Sequence, residues 1–288
     1  MSRKIKLAKT AGFCYGVKRA VETTKRLKHD NPDNNVYVLG ELIHNSHVIH
    51  ELDNLGIKTV DTVPPSSCGY CVIRSHGASP ETFKSISDSN LEIVDLTCPD
   101  VQKVQKKAIE LAKDDYLTII VGKPAHPEVI AIKDNALEYS KNVYVLSEKK
   151  EIEKIKDKIK SHKKVGIVVQ TTQMIETLDE IMLAITPIAK ELKIFNTICA
   201  STSMRQKEAK ELAQESDLMI VVGSKKSANT THLAQIVKEI TKTIHIEDSK
   251  GLEPFEEDIK NAENIGVTAG ASTPDTLINE VIEKIKTI

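Results

Sequence analysis

Five cysteines, at positions 14, 68, 71, 98 and 199, carry the most distinctive chemistry of this chain. An odd set of thiols with no export signal points to metal binding or catalysis rather than a disulfide framework. The bland alternative is that each is a small buried apolar side chain. Three share one local pattern: IKLAKTAGFCYGVKRAV, EIVDLTCPDVQKVQKKA and IFNTICASTSMRQKEA each read strand, short loop, cysteine, helix. A helix start carries about half a positive charge and unpaired N–H groups, which favour thiolate. Thiolates at Cys14, Cys98 and Cys199 would suit a soft metal. Structural zinc usually takes four protein ligands and iron–sulfur clusters four cysteines, so three leave one metal corner open to a substrate. Spacing alone does not separate a three-cysteine zinc from a three-cysteine cluster. Cys68 and Cys71 form a CxxC pair. The second cysteine enters a β-rich run instead of opening a helix, so local packing is favoured over a thioredoxin-like redox role.

Ligands of parallel sheets bind beyond the carboxyl ends of the strands, so the residues after each strand-like run matter most. VYVLG is followed by ELIHN with His44, and CVIR by SHG with His76. LTIIVG leads to KPAHPE with His126 and Glu128, and VGIVV to QTTQ with Thr171 and Thr172. LMIVVG precedes SKKSAN with Ser227 and Asn229, and IGVTAG precedes ASTPD with Ser272. Imidazoles, hydroxyls and amides are groups that hold phosphoryl oxygens. Singly these tips are weak signals, since a lone histidine is more often a structural hydrogen bonder and a serine turn often only caps a helix. Together with three cysteine tips they carry weight. Glu128 follows His126 across Pro127, and a desolvated carboxylic acid there could deliver protons. Neither a G-x-x-x-x-G-K-[ST] loop nor a G-x-G-x-x-G fingerprint occurs, which argues against ATP and dinucleotides.

The elements that must position these groups are legible as β-branched runs, from Ile5–Ala8 to Ile265–Thr268, alternating with amphipathic helical stretches. Ile194–Thr197 is read as one of the strands. This alternation predicts an α/β fold, here three small pseudo-repeated modules with mainly parallel sheets. The cysteine repeat places the modules at 1–97, 98–195 and 196–274, with 275–288 a helical segment packing on the first. Lys149–Lys164 is expected to be a solvated helix with one apolar stripe of Ile152, Ile155 and Ile159. A docking surface for an acidic electron donor is the sharper alternative. Lys+Arg 40 against Asp+Glu 41 removes the basic field of a nucleic-acid binder. With no signal peptide and no apolar run near ~20 residues, a cytoplasmic protein without membrane spans is expected.

The ordered tips AGFCYGVKRAV, LGELIHN, RSHG, TCP, HPE, QTTQ, TIC, GSKKSAN and GVTAGASTPD resemble those of the 4-hydroxy-3-methylbut-2-enyl diphosphate reductases, over nearly the whole chain. The resemblance implies three modules arranged around a central metal-cluster cavity, with one [4Fe–4S] cluster per chain held by Cys14, Cys98 and Cys199 and one iron open to the substrate hydroxyl. It implies that His44, His76, His126, Ser227, Asn229 and Ser272 hold an allylic diphosphate. Glu128 becomes the proton source, Thr171 a hydroxyl beside that of the substrate, and ferredoxin or flavodoxin the electron donor. The products would be isopentenyl and dimethylallyl diphosphate. A bound diphosphate favours imidazolium, so substrate affinity is expected to weaken as pH rises. Ala228 replaces a serine usual in the family, and His232 stands where the family often has arginine. Cys68 and Cys71 lie outside the family pattern. Two other readings compete: a non-redox phospholigand-binding protein with a three-cysteine structural zinc, and a metal-dependent diphosphate hydrolase using Glu128 as base.

Overall fold

The computed structural model describes residues 3–65 and 68–288. In chain order its strands are β1 (Lys4–Leu7), β2 (Asn35–Leu39), β3 (Ile57–Val60), β4 (Gly69–Ile73), β5 (Leu91–Asp95) and β6 (Leu117–Val121). There follow β7 (Val143–Leu146), β8 (Lys164–Val169), β9 (Glu191–Ile194), β10 (Leu218–Val222), β11 (Lys242–Ile246) and β12 (Asn264–Ala269). The helices are α1 (Tyr15–Asp30), α2 (Ser46–Asn54), α3 (Pro80–Ser87), α4 (Pro99–Lys113), α5 (Pro127–Leu137) and α6 (Lys156–Ser161). The last five are α7 (Ile175–Ile185), α8 (Ala200–Gln214), α9 (Ala228–Lys238), α10 (Glu256–Asn261) and α11 (Asp275–Thr287).

The strands form three parallel four-stranded sheets, ordered β3-β2-β4-β5, β7-β6-β8-β9 and β11-β10-β12-β1. One topology is thus used three times, and the N-terminal strand β1 supplies the fourth position of the last sheet through pairs such as Lys4↔Asn264. The chain therefore repeats one sheet topology three times, with its N-terminal strand completing the last sheet. Its compact units are discontinuous. Unit 1 holds the residues up to Arg19, Ile43–Asn54 and Ala200–Ile288; unit 2 holds Ala20–Leu42 and Leu55–Cys199. The C-terminal helix α11 buries Ile278, Val281 and Ile285 in the core of the β10–β12 sheet, in the same unit as β1.

Fully buried strands explain the apolar runs: every residue of β6 and β10 is buried, as expected for strands covered on both faces. Helices start where the sequence dictates. Pro80, Pro99 and Pro127 stand in the first turns of α3, α4 and α5, where a missing N–H costs nothing. Ser79 caps α3 by accepting from the Thr82 amide at 3.2 Å. Helix α4 lies close against β8. A Cβ added at Gly166 would sit 2.4 Å from Leu111 Cδ2, and Leu111 is fully buried. We therefore expect Gly166→Ala to lower unfolding free energy by about 1–3 kcal/mol through overpacking. Denaturant unfolding checks this, and an unchanged midpoint would mean that the helix can move off the sheet at little cost.

Three local expectations are corrected. The strand before Cys199 is Glu191–Ile194, not Ile194–Thr197, and the short edge strand Ile57–Val60 is additional. The Lys149–Lys164 stretch is not one helix. Lys149–Lys154 form a 3-10 turn, Ile155 leaves helical geometry at φ −123°, and α6 follows before Lys164 opens β8. Its stripe of Ile152, Ile155 and Ile159 is nevertheless buried together in the core of the second sheet. Among the described residues no helix is long and apolar enough to cross a membrane.

Candidate active site

The repeat places each chemically active side chain at one of three positions in its sheet. The second strands in these orders, β2, β6 and β10, are followed by Gly40, Gly122 and Gly223, and the fourth residue after each glycine is His44, His126 and Ser227. The third strands β4, β8 and β12 lead into Ser75–His76, Thr171–Thr172 and Ala271–Ser272. The fourth strands β5, β9 and β1 lead into Cys98, Cys199 and Cys14. In every sheet the cysteine amide donates to the carbonyl of the same third-strand tip: Cys98 N to Ser75 O at 3.0 Å, Cys199 N to Thr171 O at 3.1 Å, Cys14 N to Ala271 O at 3.2 Å. Each helix that starts at a cysteine is thereby docked on its neighbouring tip.

In unit 2, Glu128 is 1 % exposed in the first turn of α5. Its carboxylate accepts from the Thr171 amide at 2.7 Å and from the Thr171 hydroxyl at 2.8 Å. Burial pushes its pKa up to about 7, and the charge of Asp100 adds to that, while the two Thr171 hydrogen bonds oppose it. The carboxyl can therefore hold or release a proton near neutral pH, the property required of a general acid. His126 caps α5, its Nδ1 accepting the Glu128 amide at 3.2 Å, so the neutral ring carries its proton on Nε2 as a donor. The rings of His76 and His126 meet edge to face, with centroids 5.3 Å apart. Gln170 is wholly buried and accepts from the Lys123 amide at 3.0 Å, tying the β8 tip to the β6 tip. Sequence reasoning passed over it, although it opens the QTTQ motif.

In unit 1, Ser227 caps α9, its Oγ 3.5 Å from the Thr230 amide. Asn229 is 4 % exposed, and its Nδ2 has no hydrogen-bond partner among the described residues. A buried amide left this way costs on the order of 1–3 kcal/mol, which a ligand oxygen would offset. The Ser272 hydroxyl donates to His44 O at 3.3 Å. Ala228 and His232 are both buried on α9. Arg205 and Glu208 of α8 also belong to this unit and were not singled out from sequence, because they act on backbone rather than through a motif.

The five cysteines separate cleanly. None is in a disulfide. Cys14, Cys98 and Cys199 are half-buried at the three equivalent helix starts, a donor set of thiols that suits iron or zinc. Cys71 is wholly buried inside β4, where desolvation pushes its thiol up to about 11, while Cys68 is exposed. A thiol so raised is a poor nucleophile and a poor redox partner; it packs with Ile73, Ile86 and Leu91.

Residues 5–286 match the LytB protein family. A 4-hydroxy-3-methylbut-2-enyl diphosphate reductase of Citrifermentans bemidjiense is 41% identical over 284 residues, covering 98% of this chain and 96% of that protein. A solved structure of (E)-4-hydroxy-3-methyl-but-2-enyl diphosphate reductase, described as the terminal enzyme of the non-mevalonate pathway, superposes with a TM-score of 0.72 at 37% identity. It covers 99% of this chain and 100% of that one. The E-1-hydroxy-2-methyl-but-2-enyl-4-diphosphate reductase of Plasmodium falciparum superposes with a TM-score of 0.89 at 25% identity, over 98% of this chain and 88% of that one. Similarity of this extent over nearly the whole chain means that the chain belongs to the LytB family and is an oxidoreductase.

Proposed function

We propose that the chain reductively removes the hydroxyl of 4-hydroxy-3-methylbut-2-enyl diphosphate to give isopentenyl and dimethylallyl diphosphate. Cys14, Cys98 and Cys199 would hold one [4Fe–4S] cluster per chain. When bound, that group supplies electrons and a Lewis-acidic iron at a corner without a protein thiolate. The observation that carries the reading is the buried Glu128 carboxyl in its Thr171 cradle, at the tip whose Thr171 carbonyl also accepts the Cys199 amide.

The reaction consumes two electrons and two protons. One proton leaves with the hydroxyl as water, and the other ends on carbon. Glu128 is the group that can hold the first near neutral pH, so that water rather than hydroxide departs. Thr171, already donating to Glu128, fits the role of orienting the substrate hydroxyl. His44, His76 and His126 offer imidazoles, and Ser227, Asn229 and Ser272 offer hydroxyl and amide donors, for the diphosphate. The donor set lacks arginine, consistent with His232 standing on α9 where the family often has one. The electrons would come from a small protein carrier of the ferredoxin or flavodoxin type, and the expected setting is the cytoplasm.

Oxygen-free purification tests the reading. A brown protein with iron and acid-labile sulfide, which converts the allylic diphosphate only when a reductant is supplied, is the expected result. A colourless zinc protein would favour the phospholigand-binding alternative. Phosphate release without reductant would favour the hydrolase.

A further inference from the structure

Helix α8 holds the loop that carries Cys14. Arg205, 2 % exposed, donates through Nη1 to Thr10 O and to Ala269 O (2.9 Å), and through Nη2 to Gly12 O at 3.1 Å. Glu208, one turn later, accepts from the Lys9 amide at 2.7 Å, the Thr10 amide at 2.8 Å and the Thr10 hydroxyl at 2.6 Å. The peptide groups of Thr10 are thus gripped from both sides, its N–H by the carboxylate and its C=O by the guanidinium. Burial tends to raise the Glu208 pKa, but the hydroxyl and two amides outweigh it and hold the carboxyl below its usual range, so it stays an anion. Arg205 also reaches the end of β12, two residues before Ala271, whose carbonyl accepts the Cys14 amide. One side chain therefore ties together the β1–α1 loop and the β12–α11 loop, which carries Ser272. Gly12 sits at φ +98°, and a Cβ there would come 2.6 Å from Asp275 Oδ1, so the loop has a single tight path.

We propose that Arg205 and Glu208 are positioning residues for the metal centre, fixing the loop on which the Cys14 thiol is presented so that the bound group is held against loss. This rests on the cysteine-bound centre proposed above. Neither side chain is one of the expected metal or substrate ligands. Rigid ligand placement of this kind, supplied by partners behind the coordinating atoms, typically changes metal retention 10–100-fold.

The test uses the oxygen-free holoenzyme. Iron release to a chelator is followed for the wild type, Glu208→Gln, Arg205→Lys and the neighbouring surface control Lys207→Gln, with thermal unfolding measured alongside. We expect Glu208→Gln and Arg205→Lys to release iron at least roughly tenfold faster. Lys207→Gln, whose side chain is 78% exposed, should match the wild type. Release at the wild-type rate by a folded Glu208→Gln protein would overturn the inference, even should the arginine variants fail to fold. A wild-type protein without iron would overturn the proposed function and this inference together, whereas an iron-loaded wild type with unchanged variants overturns only the inference.

Discussion

Glu128→Gln is expected to leave the protein folded and able to bind substrate while lowering turnover by roughly two to four orders of magnitude. The amide is nearly isosteric with the acid. Its oxygen can still accept from the Thr171 amide, and its nitrogen can donate to the Thr171 hydroxyl, so both links between the β6 and β8 tips survive. What disappears is the transferable proton. The same substitution gives a signature in unfolding that does not involve activity. Because the Glu128 carboxyl is raised from about 4.5 to about 7 in the folded chain, the native state retains a proton that the unfolded chain releases. The associated stability is present in full below about pH 4.5 and is lost as pH rises through about 7, an amount on the order of 3 kcal/mol. Glutamine has no such proton. The variant should therefore gain on the wild type steadily between pH 5 and pH 8, measured as unfolding midpoints of the metal-free chain. Parallel curves over that range would mean that Glu128 is already ionised in the fold, and the proton would have to come from elsewhere, with Thr171 and a water the nearest candidates.

The parts of this fold that were legible in sequence are those encoded locally. Runs such as LTIIVG and LMIVVG announce strands covered on both faces. TCP and HPE announce helix starts, because proline is tolerated there and nowhere further along. The tip residues after each strand could be read because parallel sheets present their ligands at that end. What stayed hidden depends on distant pairing or on backbone. Strand β1 looked like the start of a first module, but its partner is β12, and nothing near residue 5 signals a partner near residue 265. The strands β3 and β9 lie at sheet edges with mixed burial, so IKTV and ELKI lack the continuous apolar signal of central strands. Arg205 was invisible because it reaches the backbone carbonyls of Thr10, Gly12 and Ala269, partners that lie far from it in the chain and form no motif. The repeat itself was legible through the cysteines, and the closure of the last sheet by β1 only through the sheet order.

That closure also sorts the cysteines into two classes with opposite expected behaviour. Serine at Cys98, Cys199 or Cys14 should cost the protein most of its iron after oxygen-free purification and nearly all reductant-dependent turnover, because a serine hydroxyl is far less acidic than a thiol and a poor ligand for iron. The fold should tolerate the change. The backbone link from each cysteine amide to the neighbouring tip does not involve the side chain, and the three thiols are half-buried. Serine at Cys71 should do the reverse. That thiol is wholly buried in β4, and a hydroxyl put there without a partner costs about 1–3 kcal/mol, while iron content per folded molecule stays at the wild-type level. Iron-to-protein ratios and unfolding midpoints measured on the same four variants separate the classes. If Cys71→Ser lost iron in step with the three tip variants, metal loss would be tracking stability and not ligation. The assignment of the three helix-start thiols as ligands would then lose its support, because the geometry that distinguishes them is their shared place after the fourth strand of each sheet.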